Sequence, residues 1–311
     1  METPDTKLYT LPDDAVWFIT GCSSGMGQAL AQYIATTHPS QRVVATARNP
    51  SSLSAIPDGP NVLKLSLDVT SIPSINAAFD ATLARYARVD VVVNNAGYNL
   101  MGDIESSPSG NAGARALMDT NFWGAVDVSK RALPIFRDVN PKTGQRGGVI
   151  INVSSLGGYL GSPGNAFYHA SKFALEGFAE SLAKEVLPEW NVHVCCAEPG
   201  GVRTNYVSTA SANRLPRHPA YDRPDGPTTQ MLAFMDAPAL HGGFASPEEI
   251  AEKIYCVVAG GKIPIRVPLG KDSWGMVMAE TEKVRRELEE WREFSCAVGN
   301  PEVEGMAKIV K

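Results

Sequence analysis

Short β-branched runs alternate along this chain with longer segments in which apolar residues return every three or four positions. The runs AVWFIT (15–20), RVVATA (42–47), NVLKLSL (61–67), DVVVNN (90–95), GGVIINVS (147–154) and NVHVCCA (191–197) predict strands, and IPIRVPL (263–269) predicts a seventh. Between them the helical period predicts helices over 25–37, 72–87, 110–137, 164–187 and 247–259. Strands that alternate with helices in this way build a doubly wound α/β fold, a single mainly parallel sheet with helices on both faces.

Two stretches depart from the rhythm. Residues 200–245 mix Pro, Gly, Ser and Thr with Tyr206, Tyr221, Met231, Phe234, Met235 and Phe244. That is too long for a simple connector and reads as a lid or a disordered loop. From Asp272 to Glu293 the pattern predicts a charged helix with an apolar stripe of Trp274, Val277, Met278, Val284, Leu288 and Trp291. The stripe is expected to pack on the body of the domain or on a second subunit, and Glu282 and Arg286 are spaced as an i,i+4 pair. With 311 residues, 44% of them hydrophobic, the chain is expected to fold as one domain over 1–311, with a core over 15–200. The loop region follows over 200–245, and C-terminal helices and the last strand over 246–311.

Charge and cysteine content narrow the partners. There are 28 basic and 33 acidic residues, a net charge of -5, and no basic run suited to a phosphate backbone, so nucleic acid is not an expected partner. The start METPDTKLYTLPDD lacks a secretion signal's basic and apolar parts, and no run reaches the roughly 18 apolar residues of a membrane span. A soluble, cytoplasmic protein is expected. The five cysteines are odd in number and Cys195 adjoins Cys196, which argues against a disulfide framework and for buried, small apolar roles. His193 shares a strand face with Cys195, yet no second cysteine pair or His-x-x-x-His supplies zinc spacing, so no metal is expected.

The turn TGCSSGMG, Thr20 to Gly27, joins the first strand to the first helix. Free backbone N–H groups and the positive end of a helix dipole meet there, which suits a pyrophosphate. Gly21 can make the tight turn, Gly25 can let the backbone approach a ligand, and Gly27 can let the helix sit close on the sheet. The spacing is not that of a P-loop, whose Gly-Lys-Ser/Thr ending is absent. At the end of the second strand, where an acid would hold an NAD ribose, Ala47 is followed by Arg48. An arginine there can pair with a 2'-phosphate, which favours NADP(H) and leaves NAD(H) open; the plain alternative is one more solvated surface charge.

Downstream, Tyr168 and Lys172 lie four apart in a helical segment and share one face. Ser155 ends an apolar strand, and Asn121 lies in the preceding helix. Taken with TGCSSGMG, DVT at Asp68, NNAG at 94–97 and PGGVRT at 199–204, this set resembles the short-chain dehydrogenase/reductase family. The match runs from about residue 15 to residue 205. FALEGFAESLA and VVATARNP are similar to its hydroxysteroid and retinol dehydrogenase-like branch, and PLGKDSWGMVMAE resembles fungal members.

The resemblance implies a seven-stranded Rossmann sheet whose 15–200 core binds a dinucleotide and carries the chemistry. The turn residues Gly21, Ser23, Ser24, Gly25, Met26 and Gly27 would meet the coenzyme, Asp68 and Val69 its adenine, and Asn95, Ala96 and Gly97 its path. Lys172 would bond the nicotinamide ribose and Thr204 the carboxamide, beside Pro199, Gly200 and Val202. Homodimers and homotetramers are usual in the family.

The physical roles follow from the residue types. A phenol near pKa 10 is a poor base at neutral pH unless a cation lowers it, and Lys172 is placed one turn away to do so. Tyr168 would then exchange a proton with a small-molecule carbonyl or alcohol, Ser155 would hold the same oxygen, and Asn121 would hold a water behind Lys172. The expected substrate is medium-sized and rather apolar. Ser154 competes with Ser155, but strand alternation turns it to the opposite face. His169 is turned about 100° from Tyr168 and is expected to pack or face solvent. Two alternatives stand: a non-catalytic cofactor-sensing protein on the same fold, and a relative that epimerises, dehydrates or reduces an enoyl group.

Overall fold

The computed structural model describes residues 8–203, 214–237 and 242–299. Seven strands form one sheet: β1 Val16–Ile19, β2 Arg42–Ala47, β3 Val62–Ser66, β4 Val91–Asn94, β5 Gly148–Val153, β6 Val192–Pro199 and β7 Arg266–Leu269. Their spatial order is β3-β2-β1-β4-β5-β6-β7. All the pairings are parallel, one step beyond the mainly parallel sheet expected.

Helices cover both faces, which is why the central strands read as unbroken apolar runs. On one face lie α1 (Gly25–Thr37) and a later helix, Pro247–Ala259; on the other lie α2 (Ile72–Tyr86), Gly124–Pro134 and Ala166–Glu185. Within β1, Trp17 and Ile19 enter the first core while Val16 and Phe18 enter the second. Trp17 stacks on Tyr255 and donates its ring N–H to Gln41 at 2.6 Å; Phe18 stacks on Phe79 with centroids 4.2 Å apart.

The helix expected over 110–137 is broken up. It consists of α3 (Ala114–Met118), a π turn over Asp119–Trp123, α4 (Gly124–Pro134) and a second π turn over Ile135–Val139. Residues 110–113 stay outside it because Gly110 and Gly113 take φ of +81° and +55°. Pro134 supplies no N–H to the ladder, and the second π turn follows it directly. After these come α5 (Ala166–Glu185), α6 (Pro227–Asp236), α7 (Pro247–Ala259), α8 (Lys271–Glu290) and α9 (Arg292–Cys296). A capping box of Ser246 and Glu249 starts α7. No element was expected over 227–236, where the apolar residues lie in a polar, Pro- and Gly-rich stretch.

Three expectations need correction. Of the two uses expected for the stripe on α8, packing on the body of this chain is not the one seen: Trp274, Met278, Val284 and Leu288 are exposed, as is Trp291 just beyond it. The ion pair there joins Arg285, not Arg286, to Glu282, at 2.9 Å. Cys22, Cys195 and Cys196 are buried as expected, but Cys256 and Cys296 are exposed. Among the described residues no helix is long and apolar enough to cross a membrane.

One buried carboxylate ties the sheet to the loop that enters β4. Asp90, fully buried, accepts from the Val16 N–H at 2.7 Å and from Arg88 Nε at 2.9 Å. Burial raises its pKa and the Arg88 charge opposes the rise. Asp90→Ala strands the buried Val16 N–H and half of the Arg88 guanidinium. A loss of about 3–5 kcal/mol is expected in chemical denaturation, and a loss under 1 kcal/mol would show that the pairing contributes little.

Candidate functional site

The chain runs from β1 outward to β2 and β3, then crosses back to place β4 on the other side of β1. The crevice outside the carboxyl ends of β1 and β4 is therefore the switch point at which such sheets take ligands. Gly21 and Gly25 adopt φ of +71° and +60°, a conformation that glycine enters without strain. A Cβ on Gly27 would lie 2.3 Å from Asn95 Nδ2 and 2.6 Å from Gly21 O, so only glycine lets α1 sit this close.

Asn95 fastens the turn from behind. Its Nδ2 donates to Thr20 O at 2.8 Å and to Gly21 O at 3.0 Å, while the Asn95 and Ala96 N–H groups go to Thr20 Oγ1. Ser24 is the N-cap of α1 in extended conformation, and its hydroxyl makes no capping bond. Ser23 and Ser24 are exposed, whereas the Met26 side chain packs on the core. The first-turn N–H groups of α1 are thus left without a side-chain cap, and no acid sits among them, an arrangement that accommodates an anion.

At the end of β2, Ala47 is buried and Arg48 exposed. Burial raises the pKa of the Tyr98 phenol and the nearby Asp119 adds to it, while the Arg48 charge opposes both. Arg48 therefore lies within electrostatic reach of Tyr98, in the loop after β4. The Asp68 carboxylate accepts from Thr70 N–H at 2.9 Å and from its hydroxyl at 2.8 Å, and Val69 is buried. Val69 is the neighbour that a Cβ on Gly124 would strike, at 2.8 Å.

On the other side of the crevice, Tyr168 and Lys172 share a face of α5. The Lys172 ammonium lies 5.7 Å from the Tyr168 ring centroid and donates to Val153 O at 2.8 Å. Lys172 is 6% exposed, and burial lowers its pKa to about 8 against the opposing pull of Cys196 and Glu176. Asn121 sits in the π turn, clamps both backbone groups of Tyr98 and donates to Ser171 Oγ at 3.1 Å. A side chain at 97 would meet Asn121 Oδ1 at 3.1 Å and Lys172 Nζ at 3.9 Å, so Gly97 is the gap between them.

Ser155 follows β5, half-buried, and its Oγ accepts from the Gly157 N–H at 3.1 Å. Ser154 is buried, its Oγ 2.8 Å from where a Cβ on Gly158 would lie. Beyond β6, a Cβ on Gly200 would strike the Asp272 carboxylate at 2.2 Å, and Asp272 accepts from the Gly201 N–H at 2.7 Å. Val202 bridges to Ala245 next to this loop, which follows Pro199 at the end of β6. Thr204 and Tyr206 lie outside the described residues.

The region over Tyr168 is apolar. Leu100, Leu117 and Leu215 form a cluster against which Tyr98, Phe167 and Tyr168 pack. Leu215 belongs to a segment held to the body by Arg217, whose Nε meets the buried Asp103 carboxylate at 2.8 Å. That ion pair and the His218 N–H hold the Asp103 pKa below the usual range against the cost of burial. Among the described residues no group of three or more His, Cys, Asp or Glu could hold a metal ion.

Three groups near the site escaped sequence reasoning. His169, expected to pack or face solvent, does pack, and what the sequence does not show is that both its ring nitrogens are bonded. Asp272, taken only as a helix start, braces the loop after β6. Glu176 and Glu198 are buried together near Arg266, and burial with the Glu176 charge raises the Glu198 pKa to about 7. Only the glutamate at 176, one turn after Lys172 on α5, carried a readable signal, since i,i+4 spacing places it on the same face.

Residues 15–215 match the family model described as short chain dehydrogenase. The chain is 42% identical over 301 residues to oxidoreductase calM of Penicillium decumbens, covering 95% of this chain and 97% of that one. It is 34% identical over 267 residues to retinol dehydrogenase 8 of Bos taurus, covering 80% and 79% of the two chains. A short-chain dehydrogenase structure from Streptomyces avermitilis superposes with a TM-score of 0.75 at 32% identity, covering 91% of this chain and 99% of that one.

The packing at Gly27 is directly testable. Gly27→Ala is expected to lower Tm by several degrees and to weaken dinucleotide binding at least tenfold in a fluorescence titration, because the new methyl displaces Asn95 or the turn. Unchanged binding would show that the close approach of α1 is not required.

Proposed function

This chain belongs to the short chain dehydrogenase family and is an oxidoreductase, and from that premise we propose that it interconverts a carbonyl and an alcohol with NADP(H). The observation that carries the reading is the buried Lys172 ammonium one helical turn from Tyr168, with the half-buried Ser155 hydroxyl at the end of β5. A cation held there lowers the cost of a phenolate, and a pure sensor has no need of it. The close glycine turn and the uncapped start of α1 fit a pyrophosphate, and Arg48 fits a 2'-phosphate.

In this reading Gly21, Ser23, Ser24, Gly25, Met26 and Gly27 hold the pyrophosphate, and Asp68 and Val69 the adenine. Asn95, Ala96 and Gly97 line the coenzyme's path, Lys172 bonds the nicotinamide ribose, and Pro199, Gly200, Val202 and Thr204 border the nicotinamide. A nicotinamide coenzyme, when bound, supplies or accepts the hydride. Tyr168 gives its phenolic proton to the substrate oxygen in reduction and takes it back in oxidation. One lone pair of Ser155 Oγ is taken by the Gly157 N–H, which leaves its O–H to donate to the same oxygen. Asn121 Oδ1, with one lone pair on the Tyr98 N–H, keeps the other for a water that resupplies Lys172.

The substrate is medium-sized and apolar at the reacting end. The cluster of Leu100, Leu117 and Leu215 beside Tyr168 supports this, and one relative is named for retinol. A cytoplasmic site of action and a homodimeric or homotetrameric state complete the proposal.

Two measurements test it. Tyr168→Phe is expected to lower turnover on a carbonyl panel by about 10²–10⁴-fold while coenzyme affinity stays within twofold. A parent enzyme that turns over no carbonyl or alcohol would favour a cofactor sensor instead. For the coenzyme, Arg48→Ala is expected to raise KM for NADPH about tenfold and leave NADH unchanged. Equal use of both coenzymes by the parent, with no effect of the substitution, would remove the 2'-phosphate from the proposal.

A further inference from the structure

We infer that His169 is a positioning residue for Ser155, acting through the backbone of Gly157. The His169 ring is bonded at both ends: Nδ1 lies 2.8 Å from Gly157 O, and Nε2 lies 2.9 Å from Ser162 Oγ. A carbonyl can only accept, so Nδ1 carries the proton and donates, and Nε2 is left to accept from the Ser162 hydroxyl. Burial lowers the His169 pKa and so favours this neutral form.

Gly157 carries the connection onward. Its carbonyl is held by the imidazole, and its N–H donates to Ser155 Oγ at 3.1 Å. A Cβ at 157 would lie 2.5 Å from Nδ1, so glycine is what admits the ring to the carbonyl. The turn Leu156–Gly158 is a single 3-10 turn, closed by the Gly158 N–H on Ser155 O at 2.9 Å and the Tyr159 N–H on Leu156 O at 3.0 Å. The imidazole fastens it to α5, the helix that also carries Tyr168, and sets the distance between the serine hydroxyl and the phenol. Asn165 Nδ2 donates to Ser162 Oγ at 3.3 Å and supports the far end of the clamp.

What Ser155 does rests on the carbonyl–alcohol reading above; the clamp itself does not. The test therefore reads both the turn and the chemistry. His169→Ala and His169→Asn are compared with the parent by steady-state kinetics, coenzyme titration and hydrogen exchange of residues 156–160. An asparagine amide can donate to Gly157 O from about the Nδ1 position, and an alanine cannot.

His169→Ala is expected to speed exchange of the turn at least tenfold and to lower kcat at least tenfold, with coenzyme affinity within twofold. His169→Asn is expected to recover most of both. Unchanged exchange and kcat in His169→Ala overturn the proposal, and so does an Asn variant no better than the Ala variant. If the parent shows no turnover, the carbonyl–alcohol reading falls, and exchange alone decides the clamp. If exchange rises in His169→Ala while kcat holds, the ring fastens the turn but does not position the serine, and the proposal is equally overturned.

Discussion

A sheet in which every strand runs the same way has all its carboxyl ends on one edge, and the proposed site is arranged along that edge. Thr20, Asn95, Ser155 and Pro199 leave their strands within the same rim, although more than 170 residues of chain separate the first from the last. Parallel register makes this unavoidable, because each strand must be followed by a crossover on one face before the next can begin. The switch between β1 and β4 then opens the rim at one place. There the Asn95 carboxamide ties the glycine turn to the end of β4, so the ligand-facing turn is held by the sheet's own hydrogen-bonding plan.

Burial of charge is the cost of this arrangement. Lys172, Glu176 and Glu198 are all buried near the edge, and each shifts toward its neutral form or gains a partner. In the proposed reaction the lysine is the member that chemistry uses: burial lowers its pKa, and a negative charge on the adjacent phenol would favour its ammonium form. Arg266 on β7 reaches Glu176 at 3.1 Å and Glu180 at 2.7 Å, and so supplies these acids of α5 with a compensating positive charge. The last strand thus contributes to the electrostatics of α5 from the far side of the sheet.

The strands were legible because β-branched runs covered on both faces have no other stable use, and the glycine turn because Gly21 and Gly27 leave a spacing that can be read directly. Tyr168, Lys172, Ser155 and Asn121 were legible as a set, and the structure places them on α5, just after β5 and in the π turn, with Asn121 and Lys172 meeting at Gly97. The break in the 110–137 helix was not, since a π turn changes the hydrogen-bond ladder without interrupting the apolar period. His169 was discounted because a step of 100° turns it from Tyr168, and it does turn away. What periodicity could not supply is that the turn after Ser155 comes round to meet that second face.

The same difference separates Glu180 from its neighbours. Glu180 and Glu185 look alike along the helix, and Glu185 is exposed, but Lys184 and Arg266 hold the Glu180 pKa down at about 2. A partner 86 residues away in sequence leaves no local trace. The substrate end of the proposal follows this logic most strongly: the segment that brings Leu215 to the apolar cluster beside Tyr168 is held by the Leu215 N–H on Met101 O at 2.7 Å and by Arg217 on Asp103, 114 residues earlier. Composition alone marks 200–245 as too long for a connector; these distant anchors are what bring one of its residues, Leu215, into the cluster on which Tyr168 packs.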